Sequence, residues 1–273
     1  IILWSSAFIT TKPIIDNSDP FAALAFRFFF VAVGFLIFSI YSNYSIIINR
    51  KNLIESVLSG VLFHGLYLGG VFYSISIGMP TSIAALIVTL QPILTNILSG
   101  PILNEKVTFK QWIGVSLGFF GATLVLGLDL GSKIPLLGLV ATIIALISIT
   151  ASTIWQKKLS YNLPLSVSNF YQAIGGCFFH ILVVIFFAKP YIALTKTFFL
   201  AMGHQILLVS FGAFTILMFL IKKNSASKTV SIFFLIPATS ALMAWFFLGE
   251  TLTVTDLLGF LITSIGVYIA TRD

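Results

Sequence analysis

Stretches of about twenty apolar residues, each closed by a short polar interruption, run through this chain from end to end. Residues 20–42, PFAALAFRFFFVAVGFLIFSIYS, hold a single charge, Arg27. A helix of that length rises about 30 Å, the thickness of the hydrocarbon layer of a bilayer. Inside such a layer each backbone polar group must be satisfied within its own segment, which a helix achieves. Charged residues are 8% of the 273 positions, against roughly 25% in soluble domains. The fold class is therefore all-α integral membrane.

Dividing the sequence at its polar interruptions predicts spans at 1–15, 20–42, 54–77, 80–102, 109–128, 134–156, 165–188, 198–221, 227–248 and 254–271, ten transmembrane helices in all. The first is short and begins without a methionine, so a few residues are expected to precede it. IILWSSAFITTKP lacks the basic flank and small-residue cleavage site of a signal peptide and reads as a span. The loops, about 3 to 12 residues, leave no room for a soluble catalytic domain. With the N-terminus inside, ten Lys and Arg fall in cytoplasmic segments and four, Lys12, Lys133, Lys189 and Lys196, in outer loops, which places both termini in the cytoplasm. A basic inner surface facing anionic lipid accounts for the net charge of +7, and no nucleic-acid partner is needed. The single cysteine, Cys177, excludes an intrachain disulfide and lacks the companions of a metal site.

The chain also repeats itself. LNEKVTFKQWIG at 103–114 returns as LGETLTVTDLLG at 248–259, and an offset of 145 lays Pro92 on Pro237, Glu105 on Glu250, Thr108 on Thr253, Gly114 on Gly259 and Gly121 on Gly266. Upstream the match is weaker, with an offset of 144 that puts Phe26 on Phe170 and Arg27 on Tyr171. The chain thus divides into two five-helix units, 1–128 and 134–273, and because five is odd the second enters the membrane from the opposite side. Inverted repeats of this kind place a site at midplane between the halves and expose it to each side in turn. Thr108-x-x-Gln111 and Thr253-x-x-Asp256 match the capping box that opens a helix. Gly114, Gly118 and Gly121, with Gly259, Thr263 and Gly266, have the spacing of close helix packing.

ALIVTLQPILTNILSGPILNEKVTFKQWIGVSLGFFGATLVL and SIFFLIPATSALMAWFFLGETLTVTDLLGFLITSIGVYIA resemble the paired EamA-type modules of the drug/metabolite transporter superfamily, and LWSSAFITTKPI with DPFAALAFRFF is similar to that family's opening. The resemblance covers the chain and implies a ten-helix carrier in the bacterial inner (plasma) membrane. It implies a carrier of a kind that in bacteria is usually an exporter, with a central cavity walled by both halves; the alternative is an importer or exchanger of a cofactor or nucleoside-type metabolite. Family members move amino acids, cofactors, nucleosides and other metabolites, so the substrate stays open. No cofactor is implied, and a homodimer stays open.

Candidate binding residues are set by polarity at membrane depth. Pro92 and Pro237 sit mid-span at matching positions, and each removes an N–H and crowds the carbonyl four residues earlier. They either kink the helix or open backbone to a wet cavity. Thr89, Gln91 and Thr95 surround the first, Ser231, Thr239 and Ser240 the second; Gln91 is the stronger candidate, since a primary amide in hydrocarbon must find partners. His64, Tyr67, Val71 and Ser74 form a partly polar stripe expected to face the interior. Arg27 has two readings, snorkelling to the outer interface or pointing inward to a substrate carboxylate or phosphate. Tyr171 and Gln172 take its place in the second half. Trp112 and Trp245 read as interfacial belt residues; Trp4 and Trp155 are belt or ligand-stacking.

All eight acidic residues lie at span ends or in loops, so the carboxylate relay of many proton pumps is missing, as is a Walker-type phosphate loop. A facilitator or exchanger is expected, with His64 or His180 as the midspan proton carriers. The competing classes are a membrane enzyme with Glu105 or Glu250 as base, which an inverted copy argues against, and an assembly protein without a cavity, which leaves the paired prolines unexplained.

Overall fold

A computed structural model describes residues 1–127, 134–159, 163–187, 190–249 and 251–272. Asp129, Lys133, Lys189, Glu250 and Asp273 lie outside the described residues. The helices are α1 (Ile2–Ile15), α2 (Pro20–Tyr41), α3 (Arg50–Ser76), α4 (Thr81–Leu103), α5 (Phe109–Leu126), α6 (Leu136–Leu159), α7 (Leu165–Phe187), α8 (Lys196–Lys223), α9 (Ala226–Phe247) and α10 (Val254–Thr271). Among the described residues, the nine from α2 to α10 are long and apolar enough to cross a bilayer; α1, at 14 residues, is shorter.

Their ends are set by caps rather than by hydropathy. Asp19 accepts from the N–H groups of Phe21 and Ala22 at 3.0 and 2.8 Å and starts α2, with Pro20 at the first helical position. Asn49 and Thr195 do the same for α3 and α8, which is why those helices begin at Arg50 and Lys196 rather than at the apolar boundaries 54 and 198. Both expected capping boxes form: Thr108 with Gln111 opens α5, and Thr253 with Asp256 opens α10. Asn104 and Gly249, in the left-handed conformation at φ 56° and 70°, close α4 and α9.

Packing inverts the rule of soluble proteins. The outward faces carry Phe29, Phe38, Ile147, Phe187 and Phe246, whereas Arg27, His64, Gln91, Asn96, Asn169, Gln172, His180 and Gln205 are buried. An apolar rim with a polar interior suits a hydrocarbon solvent. The most extensive contact joins α5 to α10, and α2 packs along α7. The first of these is backbone on backbone: a Cβ built on Gly266 would lie 2.7 Å from the carbonyl oxygen of Gly114. The loop after α1 and the loop before α8 also meet, Asp19 donating its N–H to the Tyr191 carbonyl and Ala193 to that of Asn17, both at 2.8 Å.

Candidate functional site

Among the described residues, four helices depart from regular geometry in their middles. Thr89 and Leu90 interrupt α4 just ahead of Pro92, where the Thr89 hydroxyl donates to the Ala85 carbonyl at 2.6 Å. A 3-10 turn, Ile232–Phe234, interrupts α9 just ahead of Pro237. In both, the proline cannot donate and its ring excludes the carbonyl four residues before, so the preceding turn tightens or opens. Wide π turns occupy Val61–Tyr67 of α3 and Gln205–Ala213 of α8. These begin 144 residues apart, the offset relating Phe26 to Phe170.

Between α1, α3, α4 and α9 lies a cavity of about 410 Å³, a volume typical of small-molecule sites. Pro92 and Pro237 border it, with Trp4, Tyr67, Gln91 and Ser240. Trp4 is buried, tilted against Phe233 at 5.2 Å between ring centres and edge-on to Phe63 at 6.1 Å, so it is a cavity wall and not a belt residue. The Gln91 amide donates to the Thr153 hydroxyl of α6 at 3.0 Å, which fixes its orientation and leaves its carbonyl oxygen for another partner. The Ser240 hydroxyl donates to the Ser5 carbonyl at 3.3 Å and joins α9 to α1. Thr81, Ser82 and Ala244 bring the cavity toward one end of the bundle, where α4 starts and α9 finishes. At the other end Glu105 accepts from the N–H groups of Ala226 and Ser227 at 2.8 and 3.3 Å, and the Ser227 hydroxyl donates to the Asn96 carbonyl oxygen. That end is closed.

Trp4, Tyr67 and Val71 also border a second, smaller cavity of about 50 Å³, walled further by Arg27, His64, Gln205 and Ser210. Arg27 is 4% exposed and does not snorkel. Its Nε–H donates to the Ser210 hydroxyl at 3.0 Å, and one terminal nitrogen donates to the Gln205 carbonyl oxygen. Gln205 is anchored in turn, donating to Ala7 O, Thr10 Oγ1 and Thr11 Oγ1 at 3.1 to 3.3 Å. Among the described residues no carboxylate pairs with Arg27. His64 packs between Phe28 and Phe214, ring centres 4.4 and 4.6 Å away. His180 borders neither cavity; its Nε2 donates to the His64 carbonyl at 2.9 Å, beside the π turn, and its Nδ1 is buried without a partner.

Eight of the eleven residues singled out from the sequence therefore gather here: Trp4, Tyr67, Gln91, Pro92, Pro237 and Ser240 at the large cavity, Arg27 and His64 at the small one. Thr95 is buried one turn beyond Gln91 without a hydrogen-bond partner, and borders neither cavity. Tyr171 and Gln172 are elsewhere: the Tyr171 hydroxyl donates to the Ile46 carbonyl at 2.7 Å, and the Gln172 amide to Ser168 at 3.0 Å. Their helix, α7, is packed against α2 and α3, so equivalence of sequence position does not carry them into the cavity. Within the α3 stripe, Ser74 turns back to the Val71 carbonyl at 2.8 Å and Ile75 takes its place at the cavity. Gln205 and Ser210 are site residues that the sequence reading misses, although Gln205 meets the criterion that selects Gln91, an amide inside an apolar run.

The profile of the EamA-like transporter family matches residues 1–127 and 136–272. The chain is similar to an uncharacterized transporter of Bacillus subtilis strain 168, YvbV, 26% identical over 77% of this chain and 68% of that protein. A second uncharacterized transporter of the same strain, YyaM, is 27% identical over 98% and 90%. A probable amino-acid metabolite efflux pump of Escherichia coli K12 is 26% identical over 58% of this chain and 51% of the pump. A protein solved by crystallography superposes with a TM-score of 0.84 over 98% of this chain and 92% of its own, at 18% identity, a likeness of fold.

Proposed function

Since the chain belongs to the EamA-like transporter family, we propose that it is a secondary transporter that moves a small polar metabolite, an amino acid or related compound, outward across the plasma membrane. The mechanism is alternating access between two inverted five-helix units, 1–128 and 134–273. One observation carries this reading: a cavity of about 410 Å³ meets both broken helices at Pro92 and Pro237 and draws its walls from both stretches that the family profile matches. Broken helices in corresponding positions are where transporters of this plan hold their cargo. The paired π turns and the paired left-handed caps, Asn104 and Gly249, support the repeat.

The cavity reaches toward the end carrying Thr81 and Ala244, which the distribution of Lys and Arg assigns to the outside, while Glu105 closes the inner end. The state is then outward-facing. Transport rather than catalysis is also supported by Glu105 itself, whose carboxylate is spent on two backbone N–H groups at the start of α9. A lipid bilayer and a small solute are the partners this reading needs.

The test is efflux from liposomes containing the purified protein, loaded in turn with pooled amino acids, nucleosides and vitamins. Gln91→Ala and His64→Ala are the variants. Specific efflux by the wild type, lost in Gln91→Ala, is the expected result. A folded protein that releases nothing from any pool would place the substrate outside amino acids, nucleosides and vitamins and end the amino-acid reading.

A further inference from the structure

We infer that the substrate is an organic monoanion, its carboxylate seated against Arg27 in the small cavity and an uncharged, largely apolar body filling the large one. The inference deepens the transport reading and rests on it for why the cavities are loaded and emptied at all.

Among the described residues, Arg27 is the one permanently charged side chain bordering either cavity. A guanidinium carries five N–H donors in a planar fork. Here two go to neutral acceptors, Ser210 and Gln205, and among the described residues no carboxylate takes the others. A cation buried without a counter-ion is costly in a protein interior and more so within a bilayer. A ligand carboxylate relieves that cost and can take two parallel N–H bonds from the fork. The seat is also held rigid, because Gln205 is tied to Ala7, Thr10 and Thr11 and cannot swing away from Arg27. At about 50 Å³ the small cavity exceeds what a single water needs and suits a group of a few atoms.

The two cavities lie side by side with Trp4, Tyr67 and Val71 as common walls, so a body attached to the carboxylate reaches the large one past these side chains. There it meets Trp4, Phe233, Ile149 and Ile236, flat or branched apolar surfaces. No Asp or Glu borders either cavity among the described residues, so a substrate ammonium would find hydroxyl and carbonyl oxygens and no charge to neutralise it. The order of preference is then anion over zwitterion over cation for one carbon skeleton.

Three probes sharing a phenyl-ethyl skeleton test the order: 3-phenylpropionate, phenylalanine and phenethylamine. Binding to the purified protein in detergent is read from the rise in its unfolding temperature with concentration, since a ligand of the folded state raises it by mass action. The expected result is an apparent affinity for phenylpropionate at least tenfold above phenylalanine, with phenethylamine and sodium chloride giving no shift. Arg27→Gln removes the preference. Gln205→Glu, which supplies an internal carboxylate to the same guanidinium, also removes it while keeping Arg27 in place, so a misfolded Arg27 variant does not decide the matter. Arg27→Lys keeps the order with reduced affinity. Equal binding of all three probes, no binding of phenylpropionate, or a preference that survives Gln205→Glu would overturn the inference. Liposome flux of phenylpropionate is measured separately: binding without flux would count against transport and leave the anion seat intact, whereas flux of phenylalanine alone would keep transport and discard the anion.

Discussion

At the scale of single residues, the molecule depends on atoms that are absent. Gly114, Gly121, Gly259 and Gly266 let α5 and α10 meet backbone to backbone, and a Cβ on Gly266 would lie 2.9 Å from the Gly118 Cα as well as against the Gly114 carbonyl. Neither neighbour is a flexible side chain that can move aside, so Gly266→Val should lower stability by about 1–3 kcal/mol, read as a fall in unfolding temperature in detergent. Gly203→Ala is the control: nothing lies within 4 Å of its Cβ position, and a mid-helix alanine should leave stability unchanged or raise it by up to about 1 kcal/mol. Equal losses in both variants would mean the close approach is not the cause. The two buried histidines separate by the same kind of local reading. His64 borders the Arg27 cavity, whereas His180 is committed to the His64 carbonyl among the rings of Phe21, Phe28 and Phe179. Of these two, only His64 borders a cavity, so any pH dependence of flux that a buried imidazole carries should flatten in His64→Gln and persist in His180→Gln. A profile that flattens only when His180 is replaced would assign the proton-sensing role the other way round.

At the scale of elements, the irregular turns matter more than the regular ones, and they differ in how far the sequence betrays them. Pro92 and Pro237 are visible because proline's ring acts through covalent geometry, whatever surrounds it. Caps are half visible: Thr108-x-x-Gln111 and Thr253-x-x-Asp256 announce themselves, while Asn104 and Gly249, the two residue types that enter the left-handed region most easily, are hidden inside the repeated polar stretch. The π turns at Val61–Tyr67 and Gln205–Ala213 leave no local mark, since they lie in apolar sequence and are stabilised by the groups packed against them, such as the hydrogen bond from His180 to the His64 carbonyl. The 3-10 turn before Pro237 carries a prediction. It holds Phe233 against Trp4 at 5.2 Å. Converting three residues from 3.0 to 3.6 per turn rotates the two sides of the break relative to one another by about 60°. Pro237→Ala supplies the missing N–H, worth about 1 kcal/mol as a net hydrogen bond, and should regularise α9. The expected outcome is an unfolding temperature equal to or above that of the wild type, with flux reduced about tenfold because Phe233 leaves the cavity wall. A variant of full activity would mean the break is a kink with no part in binding.

At the scale of the whole molecule, the membrane class and the order of helices are legible because lipid imposes a hydropathy pattern that survives without any knowledge of packing, and the exposed rim of Phe29, Ile147 and Phe187 obeys it. The site is legible only where polarity or proline stands out from that pattern. Arg27, Gln91 and the prolines do so, but Tyr171 and Gln172 are drawn in by their sequence equivalence to the Arg27 region and lie on a helix whose polar groups meet Ile46 and Ser168 instead. The difference has a physical source: segments of similar sequence still face different neighbours, and only contact decides which face becomes a wall. The working of the whole molecule depends on its two ends. One end of the bundle is held by Glu105 on the start of α9 and by Ser227 on Asn96, and the cavity lies toward the other. If transport requires that closed end to open, a covalent tie across it should stop the cycle without touching the binding residues. Asn96 and Ser227 are joined by a hydrogen bond between side chains, so cysteines at the two positions lie within reach of a short bis-methanethiosulfonate reagent. In a Cys177→Ser background, Asn96→Cys with Ser227→Cys should lose more than about nine tenths of its flux on treatment with that reagent and regain it on reduction of the disulfides formed, while each single variant stays unaffected by the same treatment. Ligand-induced thermal shifts should persist in the cross-linked protein, because Arg27, Gln91 and Ser240 lie away from the tie and toward the cavities. Full flux through the cross-linked protein would show that the end closed by Glu105 does not open during transport, and the rocking of one half against the other would have to be abandoned.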